Sequence, residues 1–296
     1  MTSITSECQN VMPKKCLEVL NWAKAKLKEK NIQSAKLEAE LILSFVLKCE
    51  RIKLHLDPQR ILTEGEFNYF QELLKQRFDR KPLQYILGEA YFFGYKFKVN
   101  KDVLIPRPET EGLVNEVIAL LKGRNNLKIV DLGTGCGNIA VSLALNLKDV
   151  FVLATDISSN ALKMAKLNVK LNKVENKISF LCGDLFKPIK TKVDAIVSNP
   201  AYVSEEEFFK LPNEIKNFEP KTALLAEEEG LKYIKEIIKG APEFLKKGGL
   251  LALEIGFGQD KKVKELIDKN NYLELIEIKK DLAGVPRVVL AKKISN

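Results

Sequence analysis

The sequence predicts an α/β protein in which a doubly wound, mostly parallel sheet follows a small helical domain. From residue 128 onward, short apolar runs alternate with segments of helical periodicity, a pattern typical of strand–helix units in a parallel sheet. Before residue 88, apolar residues recur at helical spacing, and no strand pattern is present. A length of 296 residues suits one large domain or two unequal ones.

The first 90 residues are expected to form a helical bundle. Apolar side chains fall on one helix face in three stretches, which begin near Cys16, Ala39 and Phe67. A turn signal at Asp57-Pro58 separates the second stretch from the third. Residues 1–90 are therefore predicted to be a domain of their own.

Residues 91–105 are rich in aromatic and β-branched side chains, which predicts a β-hairpin that links the two domains. Pro108 can open a helix whose first turn carries Glu109 and Glu111, the charge that the helix dipole favours. Residues 106–296 are then expected to form the second domain.

Five apolar runs are predicted to be strands of the parallel sheet, with four amphipathic helices between them. The predicted strands are Lys128–Leu132, Phe151–Thr155, Ile178–Cys182, Val193–Ser198 and Leu250–Ile255. The predicted helices are Ile139–Leu147, Ala161–Leu171, Leu231–Ile238 and Lys261–Lys269. Two last strands, Tyr272–Ile278 and Val288–Ala291, lack a helix-length connection, so they should pair as a hairpin and add an antiparallel strand at one edge.

The charge balance is basic, with a net charge of +9. Only 7 of the 48 basic residues are arginines, whereas readout of nucleic-acid bases relies on arginine. We interpret the lysine excess as a solvating surface, with attraction of a negatively charged partner as the alternative.

Composition argues against several classes of protein. No run approaches 18 apolar residues, and residues 1–9 lack the apolar segment of a signal peptide, so a cytoplasmic protein without a membrane span is expected. The five cysteines are scattered without a CxxC pair, and His55 is the only histidine. Neither a metal site nor a disulfide framework is predicted.

A glycine-rich loop follows the first predicted strand. Glycines at 133, 135 and 137 let the backbone approach a ligand at the carboxyl end of that strand. A dinucleotide fingerprint would need a further glycine where Asn138 stands, so a ligand without phosphates fits better. An ordinary tight turn is the alternative for this loop taken alone.

Acidic residues follow the next two strands. Asp156 ends the second strand and can accept hydrogen bonds from both hydroxyls of a ribose, although it could instead cap the following helix. Asp184, after Gly183, could accept from an adenine amino group while Leu185 covers the ring. Because the carboxyl ends of parallel strands share one sheet edge, the three clusters together predict a site for an adenosine-like group.

The tetrapeptide Asn199-Pro200-Ala201-Tyr202 ends the fourth strand. It brings an amide side chain, a proline carbonyl and an aromatic ring to the same edge, which suits gripping a flat amide or amine nitrogen. It supplies no nucleophile and no metal ligand set. A strand-ending turn with a core tyrosine is the alternative.

The order of these elements resembles the class I methyltransferases that use S-adenosylmethionine. That resemblance implies a Rossmann-like, mostly parallel seven-stranded sheet and S-adenosyl-L-methionine as the cofactor.

A narrower resemblance is to the PrmC/HemK family, the N5-glutamine methyltransferases of peptide chain release factors. The tetrapeptide is similar to the family's NPPY motif, and three further segments match. These are Pro82-Leu83-Gln84-Tyr85-Ile86-Leu87-Gly88, Ile105-Pro106-Arg107-Pro108-Glu109-Thr110-Glu111 and Gly284-Val285-Pro286-Arg287-Val288-Val289. The resemblance implies methylation of a glutamine, within a Gly-Gly-Gln motif, of class I release factors that the helical domain recognises.

The resemblance also implies roles for individual residues. The asparagine oxygen and the first proline's carbonyl would accept the two amide hydrogens of the glutamine, and the tyrosine ring would pack on the amide plane. The implied catalytic residues are Asn199, Pro200 and Tyr202, and the substrate-binding residues are Asn199, Pro200, Ala201 and Tyr202. The implied cofactor-binding residues are Gly133, Thr134, Gly135, Cys136, Gly137, Asp156, Asp184, Leu185 and Asn199.

The sequence departs from the family motif at Ala201, which stands in place of the second proline. Alanine keeps the backbone carbonyl but frees φ, so we expect a less rigid loop before substrate binds. Two alternative functions stay open: a nucleic-acid adenine N6-methyltransferase, and a non-catalytic adenosine-binding module. No appended base-reading domain follows Tyr202, so we expect no stable complex with nucleic acid, and we expect a monomer.

Overall fold

The computed structural model describes residues 15–294. The chain divides into two compact units, Met1–Leu87 and Gly88–Asn296. The first unit is built from helices, and the second holds both β-sheets. Within the described part of the chain, no helix is both long enough and apolar enough to cross a bilayer.

The described part of the first unit, residues 15–87, holds five helices: α1 (Cys16–Glu29), α2 (Ala35–Leu47), α3 (Arg51–Leu56), α4 (Glu64–Phe78) and α5 (Leu83–Leu87). Their apolar faces meet in one core, to which Leu27, Ile42 and Phe70 contribute fully buried side chains. The Thr63 hydroxyl and the Glu66 carboxylate form a capping box that begins α4. The predicted helical bundle is confirmed.

A two-stranded hairpin begins the second unit. Its strands, β1 (Glu89–Phe92) and β2 (Tyr95–Lys98), pair in antiparallel register around Phe93 and Gly94. Both turn residues have positive φ, as a two-residue hairpin turn requires. The strands end at Lys98, and the rest of the predicted hairpin segment continues as irregular backbone.

Seven strands form the main sheet, in the order β5-β4-β3-β6-β7-β9-β8. They are β3 (Leu127–Leu132), β4 (Val150–Asp156), β5 (Ile178–Cys182), β6 (Val193–Ser198), β7 (Leu245–Glu254), β8 (Leu273–Lys280) and β9 (Pro286–Lys293). The predicted seven-stranded, mostly parallel sheet is confirmed.

The sequence predicted that the antiparallel strand would lie at the edge of the sheet, but it lies one strand inside that edge. β8 and β9 form the expected hairpin, but β9 lies between β7 and β8 and pairs antiparallel with both. The reason is burial. Strand β9 carries the buried run Val288–Ala291, whereas β8 contains several exposed charged side chains and therefore tolerates the edge position.

Helices cover both faces of the sheet. On one face lie α6 (Glu109–Leu121), α7 (Asn138–Asn146) and α8 (Ser159–Leu171), and on the other α11 (Lys232–Phe244) and α12 (Asp260–Asp268). Alternate residues of β3 serve the two cores: Ile129 packs with the first group and Val130 with the second. Such two-sided burial is typical of a parallel sheet.

Three short elements that the sequence had not indicated separate β6 from α11. They are α9 (Glu205–Lys210), α10 (Asn213–Phe218) and a 3₁₀ turn at Lys221–Ala223. The last of these reaches the carboxyl edge of the sheet, because Thr222 and Ala223 line the cleft there.

Candidate active site

The cleft lies where the strand order reverses. From β3 the chain proceeds outward through β4 and β5, and then returns to the other side of β3 as β6. Leu132, the last residue of β3, pairs with Ser198, the last of β6. The glycine loop and Asn199 therefore leave adjacent strands at the point where doubly wound sheets bind ligands.

The cleft at this point has an empty volume of about 880 Å³, a figure that includes space open to solvent. Eight predicted site residues line it: Gly133, Gly135, Asp156, Asp184, Leu185, Asn199, Pro200 and Ala201. The other four, Thr134, Cys136, Gly137 and Tyr202, are not among the lining residues. The structure thus brings most of the predicted residues to one cavity, and the other four lie outside its lining.

The glycine loop is shaped for close approach. Gly133 and Gly135 have φ values of +69° and +55°, and a Cβ built on either would meet no atom within 4 Å. Their backbone therefore faces open space in a conformation that side chains disfavour. Gly137 is different, since its Cβ would lie 3.2 Å from that of Ala165 on α8. That glycine serves the packing of loop and helix.

Thr134 and Cys136 support the loop from behind. The Thr134 hydroxyl donates to Asp131 Oδ2 at 2.5 Å, and the Ala140 N–H donates to the same oxygen at 3.2 Å. Asn168, buried on α8, donates to the Cys136 carbonyl at 2.8 Å. Burial raises the pKa of the Cys136 thiol to about 12, so this cysteine is neutral and is not a nucleophile.

Asp131 is a fully buried acid two residues before Gly133. Burial raises its pKa to about 7, against the opposing effect of hydrogen bonds from Thr134 and Ala140. Its Oδ1 has no hydrogen-bond partner among residues 15–294. Asp131 thus holds the glycine loop through Thr134 and the start of α7 through Ala140.

Asp156 ends β4 as a half-buried carboxylate at the cleft wall. Oδ2 accepts from the Gly135 N–H at 2.9 Å, and Oδ1 accepts from the Ser158 N–H at 2.8 Å. Burial raises its pKa, and these backbone donors oppose the shift. Ser158, not Asp156, caps α8, because its hydroxyl accepts from the Ala161 N–H.

Asp184 and Leu185 line the far side of the cleft, after β5. The Asp184 carboxylate pairs with Lys187 at 2.8 Å on the surface. Leu185 adopts a left-handed φ of +43°, which turns the chain immediately after the acid. An acceptor and an apolar side chain are therefore adjacent at this wall.

Asn199 and Tyr202 make contacts that the sequence did not reveal. The Asn199 side chain donates from Nδ2 to the hydroxyl of Thr110, in the first turn of α6, at 3.0 Å. The Tyr202 hydroxyl donates to Glu254 Oε1 at 3.1 Å. Burial raises the pKa of Glu254 to about 7 and that of Tyr202 above its ordinary value.

A third contact that the sequence did not reveal joins the segment after α10 to the segment before α6. Glu219, buried after α10, pairs with Arg107 at 2.5 Å and accepts from the Ile105 N–H at 3.1 Å. These partners are more than 110 residues apart in sequence. Arg107 had been noted as part of a family-like segment, but no pattern in the sequence connected it with Glu219.

Solved structures share the fold of this chain. The ribosomal protein L11 methylase from Lactobacillus delbrueckii subsp. bulgaricus is 18% identical, with a TM-score of 0.50 over 70% of this chain and 90% of that one. A methyltransferase from Pyrococcus furiosus is 15% identical, with a TM-score of 0.51 over 69% and 91%. Together with the cleft at the switch point, the fold is that of a Rossmann-like methyltransferase.

Sequence comparison narrows the class to a family. Models of the PrmC N-terminal domain and of the methyltransferase small domain match residues 18–88 and 114–215. A release factor glutamine methyltransferase from Fusobacterium nucleatum subsp. nucleatum is 41% identical over 94% of this chain and 78% of its own length. One from Thermodesulfovibrio yellowstonii is 42% identical over 86% and 92%. The chain belongs to the release factor glutamine methyltransferase family.

Proposed function

We propose that this enzyme transfers a methyl group from S-adenosylmethionine to the side-chain amide nitrogen N5 of a glutamine in a class I peptide chain release factor. The relatives' names point to this reaction. The observation in the structure that supports it best is the position of Asn199. Its side chain lines the same cleft as the glycine loop, at the ends of two adjacent strands.

The cleft fits S-adenosylmethionine in shape and chemistry. The open backbone of Gly133 and Gly135 is a cradle that a Cβ would partly fill. Each carboxylate oxygen of Asp156 accepts one hydrogen bond from the protein. Because a carboxylate has about four acceptor positions, it can still accept hydrogen bonds from the ribose hydroxyls. Asp184 and Leu185 would flank the adenine. The bound cofactor supplies an electrophilic methyl group.

Alignment is the main task left to the protein. An amide nitrogen is a weak nucleophile because its lone pair is delocalised into the carbonyl. Asn199 Oδ1 and the Pro200 carbonyl would accept the two amide hydrogens and hold the nitrogen in line with the methyl group. Such positioning can lower a barrier by roughly 7–11 kcal/mol, and acceptors on the amide hydrogens favour the charge that develops at nitrogen.

The tetrapeptide needs no base in this scheme. The Pro200 carbonyl accepts no hydrogen bond from the described residues, so it is available to a substrate. The proton on nitrogen leaves after methyl transfer, when it is acidic.

We assign substrate binding to Asn199, Pro200, Ala201 and Tyr202, and recognition of the release factor to the helical unit. The enzyme would act as a monomer in the cytoplasm.

One experiment separates the candidate functions. Purified enzyme receives S-adenosylmethionine with a labelled methyl group and, in separate reactions, a class I release factor, a short glutamine peptide and DNA. Label on the Gly-Gly-Gln glutamine of the release factor supports the proposal. Label on DNA alone would indicate an adenine N6-methyltransferase, and cofactor binding without transfer to any of the three would indicate a binding module.

A further inference from the structure

Thr110 stands directly behind the tetrapeptide. It is 1% exposed in the first turn of α6 and is not among the residues that line the cleft. Its hydroxyl accepts the hydrogen bond from Asn199 Nδ2 at 3.0 Å. Because Nδ2 is directed at a buried residue, the other end of the amide, Oδ1, is left for the cleft.

The buried acid Glu254 lies beside that hydrogen bond. This residue ends β7 with 1% exposure, and the Thr110 hydroxyl is close enough to its carboxyl to lower the carboxyl's pKa. The Tyr202 hydroxyl donates to the same carboxyl through Oε1. A hydroxyl has a single proton. While the Thr110 oxygen accepts from Asn199 Nδ2, its proton is free to point at the Glu254 carboxyl, whose Oε2 has no hydrogen-bond partner among the described residues, and the Asn199 amide has one orientation.

We propose that Thr110, oriented by the buried carboxyl of Glu254, is a positioning residue that turns the Asn199 side chain so that Oδ1 faces the substrate amide. This inference rests on the proposed glutamine methylation. Neither residue touches the reacting atoms, and both act through Asn199 or Tyr202. The two side chains of the tetrapeptide that carry its chemistry are each held by a buried residue, Asn199 by Thr110 and Tyr202 by Glu254.

The orientation matters because the substrate group is a donor. A glutamine NH₂ presents two hydrogens, and an Asn199 side chain turned by 180° would present two more. Opposed donors would replace a hydrogen bond by repulsion and would move the nitrogen away from the methyl group. A displacement of about 1 Å is enough to slow a reaction about 100-fold.

The test compares two variants of Thr110. Thr110→Val keeps the shape of the side chain and removes the hydroxyl, whereas Thr110→Ser keeps the hydroxyl. Ser142→Ala is the control, because it removes a buried hydroxyl on α7 that has no partner among the described residues. For each protein, kcat and KM are measured with a class I release factor, and the dissociation constant of S-adenosylmethionine is measured by calorimetry.

We expect kcat of T110V to fall about 100-fold while cofactor affinity stays near wild type, and we expect T110S to recover most of the loss. S142A should match wild type. The proposal is overturned if T110V keeps its kcat, if T110S is as impaired as T110V, or if cofactor affinity falls in step with kcat.

A second readout does not depend on turnover. The side-chain amide NMR signals of Asn199, identified by their absence in Asn199→Ala, should exchange with solvent slowly in wild type and T110S and faster in T110V. Equal exchange in all three proteins would contradict the proposal. If wild-type enzyme methylates no release factor, the proposed function fails, and the NMR comparison still decides the orientation.

Discussion

The carboxylate of Asp156 accepts a hydrogen bond of 2.9 Å from the backbone N–H of Gly135. This bond connects the end of β4 with the loop that follows β3, so the acid and the glycine loop form one unit. Because Oδ1 also accepts from Ser158, both oxygens already have a protein partner. Asp156 is therefore fixed in place by the protein itself.

The first prediction concerns that carboxylate. Asp156→Asn turns an NH₂ group toward either Gly135 or Ser158, so one charge-assisted hydrogen bond is replaced by opposed donors. Such a bond is worth about 1.5–3 kcal/mol, which corresponds to a cofactor dissociation constant raised by roughly 10- to 150-fold. Calorimetric titration with S-adenosylmethionine measures this dissociation constant.

Asp149→Asn is the matched control for this change. Asp149 also accepts a backbone N–H, that of Asn126 at 2.7 Å, but it lies before β4, at the opposite edge of the sheet. Its substitution should leave cofactor affinity unchanged. Equal weakening in both variants would mean that the Asp156 effect is a general loss of stability.

The second prediction concerns the substrate grip. Asn199→Ala removes the proposed acceptor for one amide hydrogen of the substrate and should abolish methyl transfer, while S-adenosylmethionine binding falls only modestly. Transfer is measured with labelled cofactor and a class I release factor. Asn146→Ala, which removes an amide that bonds Tyr95 and Ser142, is the control. An Asn199→Ala enzyme with near wild-type turnover would refute the role given to Asn199.

Residues at strand ends could be predicted from sequence, because a parallel sheet brings its carboxyl ends to one edge whatever the packing. Asp156, Asp184 and Asn199 each follow an apolar run, and the structure places all three at one cleft. Pattern alone was sufficient there.

Contacts that depend on tertiary packing could not be predicted in this way. Thr110 and Glu254 look like ordinary helix and strand residues, and only the fold brings them to Asn199 and Tyr202. Helix α11 shows the same limit, since it continues past Gly240 to Phe244, well beyond its predicted end. A Cβ at Gly240 would lie 2.7 Å from the Phe186 ring, so the glycine is there for packing rather than to end the helix.

The third prediction concerns the departure from the family motif. Ala201→Pro restricts φ at a position whose backbone N–H donates no hydrogen bond within residues 15–294, so the proline removes no intramolecular bond. We expect kcat to be unchanged or raised a few-fold, because the loop is stiffer before substrate binds. Steady-state kinetics with a release factor measure it. A large fall in kcat would mean that the loop needs the freedom of alanine.

The fourth prediction concerns pH and stability. Burial raises the pKa of Asp131 from its ordinary 3.8 to about 7, so between these values the folded state holds a proton that the unfolded state has released. The stability from this neutral acid is fully present below pH 3.8 and is lost as pH rises through 7. Asp131→Asn copies the neutral form and should gain stability relative to wild type, by a few kcal/mol, as pH rises across this window.

Urea unfolding of wild type and Asp131→Asn at several pH values from 4 to 8 measures that difference. Asp268→Asn is the control, because Asp268 is an exposed residue at the end of α12 that pairs with Lys264. Its difference from wild type should stay nearly flat over the same range. A flat difference for Asp131→Asn as well would show that Asp131 titrates normally in the folded protein.

The fifth prediction separates the ring of Tyr202 from its hydroxyl. The hydroxyl donates to the buried Glu254. The ring packs beside Gly256, because a Cβ built on that glycine would lie 3.1 Å from the Tyr202 ring. Tyr202→Phe leaves Glu254 Oε1 without that donor, so the free energy of unfolding should fall by about 1–3 kcal/mol, with kcat lowered only a few-fold. Tyr202→Ala also removes the ring and should lose turnover. Tyr95→Phe is the control, because the Tyr95 hydroxyl accepts from Asn146 near the surface. This variant should change neither the free energy of unfolding nor kcat. Equal loss of kcat in Tyr202→Phe and Tyr202→Ala would assign the catalytic contribution to the hydroxyl and its hydrogen bond to Glu254.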